Sequence, residues 1–361
     1  MRENELYRAV PRPRRAGEEV TAKKPMLGGK TMAGFSKRQS FIFTITIGIA
    51  FAGCGGPQQI GQTASPQLQE EAASTPLPSG AVSHRASRAL PRNALSGQPL
   101  LYVGDDGNGS VDIFPLTGPN KKQIGSISNG MRAPWGLSVD ANGSLYVANS
   151  GNGTVTVYPY GSSSPSMTYS KGVHEPLYAL ADSAGHVFVC GRDAGTHNKG
   201  LVFEYNVGTN VPIAHARLGS EDDGMAEDAS GNLYVAFRHT GPHSSIAEFG
   251  PGLSNKRLLG MTINQPQGLL VDSGGNIVVA ESASDNIEVF PPGATTPSLT
   301  LSFSAGANLA ELAMQNSETT LWVSTEGGEV YSMPYPLTPS TVPTEYENIS
   351  NFGNGIAVSP N

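Results

Sequence analysis

The chain has 361 residues, of which 44 are glycine and 27 proline, and it carries a formal net charge of −7 at neutral pH. Glycine plus proline makes roughly a fifth of the chain against an average near 12%, which speaks against a helix bundle and for a turn-dense all-β fold. The acidic balance excludes a nucleic-acid partner, which needs a basic face, and two cysteines exclude a disulfide framework.

In chain order, residues 1–31 are polar and rich in Arg and Pro, and read as an extension ahead of an expected true start at Met32. A long n-region beginning at Met1 is the alternative. Residues 41–52 (FIFTITIGIAFA) form the longest apolar run, too short for a span of about 20 residues. Lys37 and Arg38 precede it and Ala52-Gly53-Cys54 follow, the layout of a secretory signal. Ala52-Gly53-Cys54 resembles the lipobox of bacterial lipoproteins, although Phe51 departs from the usual Leu. The resemblance implies lipidation of Cys54, a membrane partner through that anchor, and an extracytoplasmic place in a bacterial envelope. Residues 55–98 are rich in Gln, Ala, Ser and Pro without a period and read as a disordered tether, with a reach of about 35–40 Å.

From residue 99 a short apolar core recurs: Leu101-Tyr102-Val103, Leu145-Tyr146-Val147, Val187-Phe188-Val189, Leu233-Tyr234-Val235, Ile277-Val278-Val279 and Leu321-Trp322-Val323. The first residues lie 44, 42, 46, 44 and 44 apart. Asp140, Asp182, Asp228 and Asp272 each stand five residues before a core and three before a glycine. Asp-x-x-Gly between apolar runs is a hairpin turn: the carboxylate caps backbone N–H groups and glycine takes a positive φ. In the last full repeat Asn316 is expected in the Asp place, with the glycine lost. A third strand (such as Val111 to Pro115 or Ile287 to Pro291) and a weaker fourth (Gln123 to Ile127, Leu299 to Phe303) follow each core. Four antiparallel strands in a period near 44, six times over, predict an all-β six-bladed β-propeller over residues 99–361. Gly355 to Ser359 aligns with Gly136 to Asp140, so the C-terminal strand is expected to complete the first blade and remove an open edge.

The segment Gly268 to Ala280 and its second-repeat counterpart resemble NHL-type repeats, which implies the fold and says little about function. Asp223 to Ala236 (DGMAEDASGNLYVA) is similar to the best-known motif of the senescence-marker-protein/gluconolactonase family, and Asn354 to Pro360 to that family's Asn-Gly strand. That second resemblance implies a divalent-metal-dependent lactonase in which Asp223 would ligate the metal and act as base. The family's other inner-strand asparagines are replaced here by Trp135-Gly136 and Leu177-Tyr178.

Innermost strands line a propeller's axis. Counting five residues back from each turn gives Trp135, Leu177, Asp223, Gln267, Glu311 and Asn354, one per blade. Asp223, Gln267, Glu311 and Asn354 are hard oxygen ligands suited to Ca²⁺ or another divalent ion; a wet polar axis binding only water is the plainer reading. Trp135 and Tyr178 either stack on a ligand at the pore mouth or plug the channel. Glu175, near the Asp223 set, either helps that metal site or is a solvated loop charge. Arg192, His197, Arg238, His239 and His243 fall on the long upper loops of the third and fourth blades, where the histidines are solvated or form a zinc or anion site, and Arg192 with Arg238 would contact an acidic glycan or peptide. Cys190 stands where other repeats have Ala148, Ala236 and Ala280, a small core position. There is no Gly-x-Ser-x-Gly elbow, phosphate loop or Cys-rich metal spacing. The expectation is a monomeric, lipid-anchored module that binds a small molecule, glycan or protein through its upper face. The alternative is a metal-dependent hydrolase of the lactonase type; a lyase of the streptogramin-inactivating family ranks below both, because its His/Glu pattern is not evident.

Overall fold

A computed structural model describes residues 98–116, 122–192, 199–218, 222–238, 245–348 and 353–360. The leader, Cys54 and the tether up to residue 97 lie outside the described residues, as do His197, His239 and His243.

Six four-stranded antiparallel sheets account for the described strands. Blades 2 to 6 run in chain order from an inner strand outward, and their inner strands are Pro134–Val139, Glu175–Ala181, Asp222–Glu227, Pro266–Val271 and Leu309–Met314. Blade 1 takes its inner strand from the chain's end, Ile356–Val358. That strand pairs antiparallel with Leu100–Asp105, with Leu101 opposite Val358 and Val103 opposite Ile356. Ser359 secures it: the Leu100 N–H donates to Ser359 Oγ at 2.7 Å and the Ser359 N–H to Leu100 O at 2.9 Å. Each inner strand touches the inner strands of both neighbouring blades, so the ring is closed.

Alternation explains what holds the blades together. Successive side chains of a strand point to opposite faces, and in a propeller each face meets a neighbouring blade. In blade 3, Val187, Val189, Leu201, Phe203 and Tyr205 face blade 2, while Tyr178, Phe188, Cys190 and Val202 face blade 4. Six apolar clusters result, one for each seam between blades. Trp322 and Tyr346 of blade 6 meet Leu101 and Phe114 of blade 1 in the closing seam.

The Asp-x-x-Gly turns form as expected. Asp140 accepts from the N–H groups of Asn142 and Ser144 at 2.9 and 2.8 Å, and Asp228 from those of Ser230 and Asn232 at 2.8 and 2.9 Å. Gly143, Gly185, Gly231 and Gly275 all have positive φ. Blade 6 requires a correction. Leu312 pairs with Val323, and the Glu318 N–H donates to Gln315 O. Gln315, not Asn316, therefore holds the Asp place, and Glu318 holds the glycine place at φ 49°.

Candidate functional site

The corrected register changes the axis-facing ring. Leu137, Ala179, Met225, Leu269, Leu312 and Ile356 pair with the last apolar residue of the neighbouring core and are mutually equivalent. Two positions before them stand Trp135, Leu177, Asp223, Gln267, Ala310 and Asn354. Glu311 is not in this ring. It belongs one step further along, with Gly136, Tyr178, Gly224, Gly268 and Gly355.

Four glycines in that second ring are there for space. A β-carbon on Gly136 would lie 2.2 Å from Leu177 O, on Gly224 2.4 Å from Gln267 O, on Gly268 2.7 Å from Ala310 O, and on Gly355 2.4 Å from Trp135 O. Each inner strand thus presses on a carbonyl of the next blade. Blades 3 and 6, opposite one another, break the pattern with Tyr178 and Glu311. In both, the partner on the second strand also changes, to Cys190 and Ser324. These two give the next blade's carbonyl a donor: Cys190 Sγ to Asp223 O at 3.2 Å, and Ser324 Oγ to Asn354 O at 2.6 Å.

Tyr178 and Glu311 fill the axis. The Gly136 β-carbon position is 2.7 Å from Tyr178 Cδ2 and 2.8 Å from Glu311 Oε1, so both side chains converge on the same glycine. Glu311 Oε2 accepts the N–H of Leu137 at 3.3 Å, across the axis from its own blade. Burial pushes its carboxyl well above the usual range, more than the backbone hydrogen bonds from Leu137 and Ile356 pull it down, and the charge of Asp223 adds to the rise. Burial, with Glu311 beside it, likewise raises the Tyr178 phenol. Burial thus disfavours the ionised form of both groups. Of the two sequence readings of Tyr178, the plug is the one the geometry supports.

The remaining candidates sit above this floor, where the inner strands begin. Asp223 is buried and faces Arg238, Oδ2 to Nε 2.8 Å. Glu175 pairs with Arg192 at 2.7 Å across the two inner strands of blade 3. Gln267 Nε2 donates to Glu326 Oε1 of blade 6 at 2.9 Å. Trp135 is half-buried at the rim, and the Asn354 Oδ1 is buried without a hydrogen-bond partner. The proposed metal oxygens are thus each engaged differently: Asp223 with a guanidinium, Gln267 with Glu326, Glu311 with backbone N–H groups. Among the described residues no group of three or more His, Cys, Asp or Glu is arranged to hold a metal ion.

Sequence reasoning missed Glu326, Ser324 and the place of Glu311. The signal was present in the strand pairing: counting from Leu321-Trp322-Val323 instead of from the turn puts Glu311 among the glycines. A second group also went unremarked. Asp182, His186, Glu204 and Glu227 alternate onto the face shared by blades 3 and 4, at the opposite end from the mouth. His186 Nδ1 is 2.7 Å from Asp182 Oδ2 and its Nε2 4.0 Å from Glu204 Oε1. Burial, then the charges of Asp182 and Asp228, raise Glu227 to about 7.

Residues 131–158 match the NHL repeat family. That segment is the inner, second and third strands of blade 2. A chain in a crystal structure of a nidogen/laminin complex superposes with a TM-score of 0.55 and 14% identity, over 72% of this chain and 98% of that one. A protein of unknown function from Bacteroides caccae superposes with a TM-score of 0.50 and 13% identity, over 73% and 99%. These similarities are of fold. No curated protein matches the chain.

Proposed function

We propose that the protein is a binding module whose ligand or partner docks on the upper mouth of the propeller. One observation carries this reading: Tyr178 and Glu311 close the axis, so the mouth is a floored depression and not a channel. Its wall offers an aromatic edge (Trp135), two carboxylate–guanidinium pairs (Glu175–Arg192, Asp223–Arg238) and an amide–carboxylate contact (Gln267–Glu326). Such a surface recognises a polar partner through directed hydrogen bonds around an aromatic anchor. Among the described residues no metal-holding cluster accompanies it. The lipobox-like Ala52-Gly53-Cys54 supports a lipid anchor at Cys54, with the tether carrying the propeller away from an envelope membrane.

Photo-crosslinking tests the docking face. A benzophenone side chain at Trp135 should trap a discrete partner in cells, and one at Ser183, on the opposite end, should not. Equal products from both positions, or products from Ser183 alone, would overturn the proposal. Incorporation of radiolabelled palmitate, lost in Cys54→Ala, tests the anchor separately.

A further inference from the structure

Blades 1 and 2 meet in a seam whose far end, away from the mouth, is closed by Tyr160. A β-carbon on Gly143 would lie 3.3 Å from Tyr160 Cδ2 and 3.4 Å from its Cβ, so the ring lies over the turn glycine. Tyr160 packs on the seam's core, and its hydroxyl donates outward to Gln98 O at 2.8 Å. Tyr160 stands two residues beyond Tyr158, which pairs with Leu145.

The seam between blades 4 and 5 has the same parts with one exchanged. Phe290 pairs with Ile277 as Tyr158 pairs with Leu145. The residue two beyond Phe290 is Pro292, and it is the Pro292 Cγ that a β-carbon on Gly275 would meet, at 3.3 Å. No aromatic ring stands there, and a cavity of about 300 Å³ opens instead. Leu259, Met261, Ile277 and Pro292 give it an apolar lining, Tyr234 an aromatic one, and Arg257 with Glu248 a charged rim. An apolar cavity of roughly 150 Å³ is enough to admit benzene, so this one has room for a ring and its substituents.

We propose that the seam between blades 4 and 5 binds a phenol-class aryl ring, which takes the place that Tyr160 fills between blades 1 and 2. The ring lies in the cavity beside Pro292, against Met261 and Ile277, and its polar substituent stays at the rim by the Arg257 guanidinium. Asp228, although it lines the cavity, is committed to the N–H groups of Ser230 and Asn232, the Asn232 amide and the Tyr234 hydroxyl. Selection therefore comes from ring shape and from the Arg257 end. This site lies at the opposite end from the mouth and does not depend on the docking face proposed above.

The test uses the full chain with methyl-labelled methionine and p-cresol as probe. The account expects a saturable upfield shift of the Met261 methyl, a ring-current effect that requires an aryl group in the cavity. Pro292→Tyr restores the internal ring and should weaken p-cresol at least tenfold. Tyr160→Ala should gain a second p-cresol site and recover melting temperature as the probe is added. The non-planar 4-methylcyclohexanol should bind at least fivefold more weakly than p-cresol. The peptide Gly-Tyr-Gly decides the source: tighter binding than p-cresol assigns a partner's tyrosine, weaker binding a free phenol. No Met261 shift at millimolar p-cresol, equal affinity in Pro292→Tyr, or equal affinity for the saturated ring would each overturn the proposal.

Discussion

Glu311, on blade 6, accepts a hydrogen bond from the backbone N–H of Leu137, on blade 2, at 3.3 Å. The contact skips the blade between them and fixes the centre of the ring. Glu311 is buried, and that burial pushes its carboxyl well above the usual range. Its folded pKa is raised, so its contribution to stability is fully present below the unfolded value and is lost as pH rises through the folded one. Glu311→Gln keeps the shape without the ionisable proton. Urea melts across pH 4 to 9 should show the wild type losing stability toward alkaline pH and Glu311→Gln losing less. Glu311→Ala leaves the Leu137 N–H and a cavity behind, and should cost about 3 kcal/mol at neutral pH.

The glycines around Glu311 differ from the turn glycines, and substitution separates the two. Gly136→Ala puts a β-carbon 2.2 Å from a backbone carbonyl, which only a shift of blade 2 against blade 3 relieves; the expected cost is about 3 kcal/mol. Gly185→Ala meets nothing within 4 Å and suffers only from φ 95°, at about 1 kcal/mol. Equilibrium unfolding of the two variants side by side checks the order.

Blades 3 and 4 carry a proton-sensitive seam. The hydrogen bond that the His186 ring donates to Asp182 is the main cause that raises His186, and burial is the main cause that raises Glu227 to about 7 and Glu204 above its usual value. The repeat shows why Glu204 has no arginine beside it and only His186, at 4.0 Å, as a counter-charge. Glu248, its equivalent in blade 4, pairs with Arg257, whereas Glu204 faces Ala214. All three folded values are raised, so the seam's stability is greatest in mild acid and falls as pH rises through about 7. Carbon-detected titration should place Glu227 near 7 in the wild type, and Asp182→Asn should lower both His186 and Glu227.

Ring closure rests on three strand residues, on Gly355, whose carbonyl accepts the Gly104 N–H at 2.8 Å, and on Ser359. Removing residues 353–361 exposes Leu101, Tyr102 and Val103 as a bare edge, a template for association. The truncated chain should melt roughly 10 °C lower or more, and size-exclusion chromatography should find it aggregated. Ser359→Ala, which removes only the 2.7 Å bond to Leu100 N, should cost about 1 kcal/mol.

The blade count, the hairpin turns and the C-terminal closure were legible in the sequence, because each is carried by local residues repeated with a fixed period. The mouth residues were legible as positions, since Asp223, Gln267 and Asn354 fall where inner strands begin. Their partners were not. Gln267 meets Glu326 from 59 residues away, and the Asp223–Arg238 pair depends on which way two side chains turn. Blade 6 misled because its turn has neither Asp nor Gly: a backbone hydrogen bond from Glu318 to Gln315, with Glu318 at positive φ, closes the same turn. The cavity beside Pro292 became visible only when Pro292 was compared with Tyr160 in space.

The closed axis underlies the functional reading, and amide hydrogen exchange at Leu137 tests it most directly. With Glu311 held against that N–H, exchange should proceed only through global unfolding and should be unchanged by 10 mM Ca²⁺. Fast exchange at Leu137, or protection that varies with Ca²⁺, would contradict the account, placing an open channel or a metal ion where Tyr178 and Glu311 are said to meet.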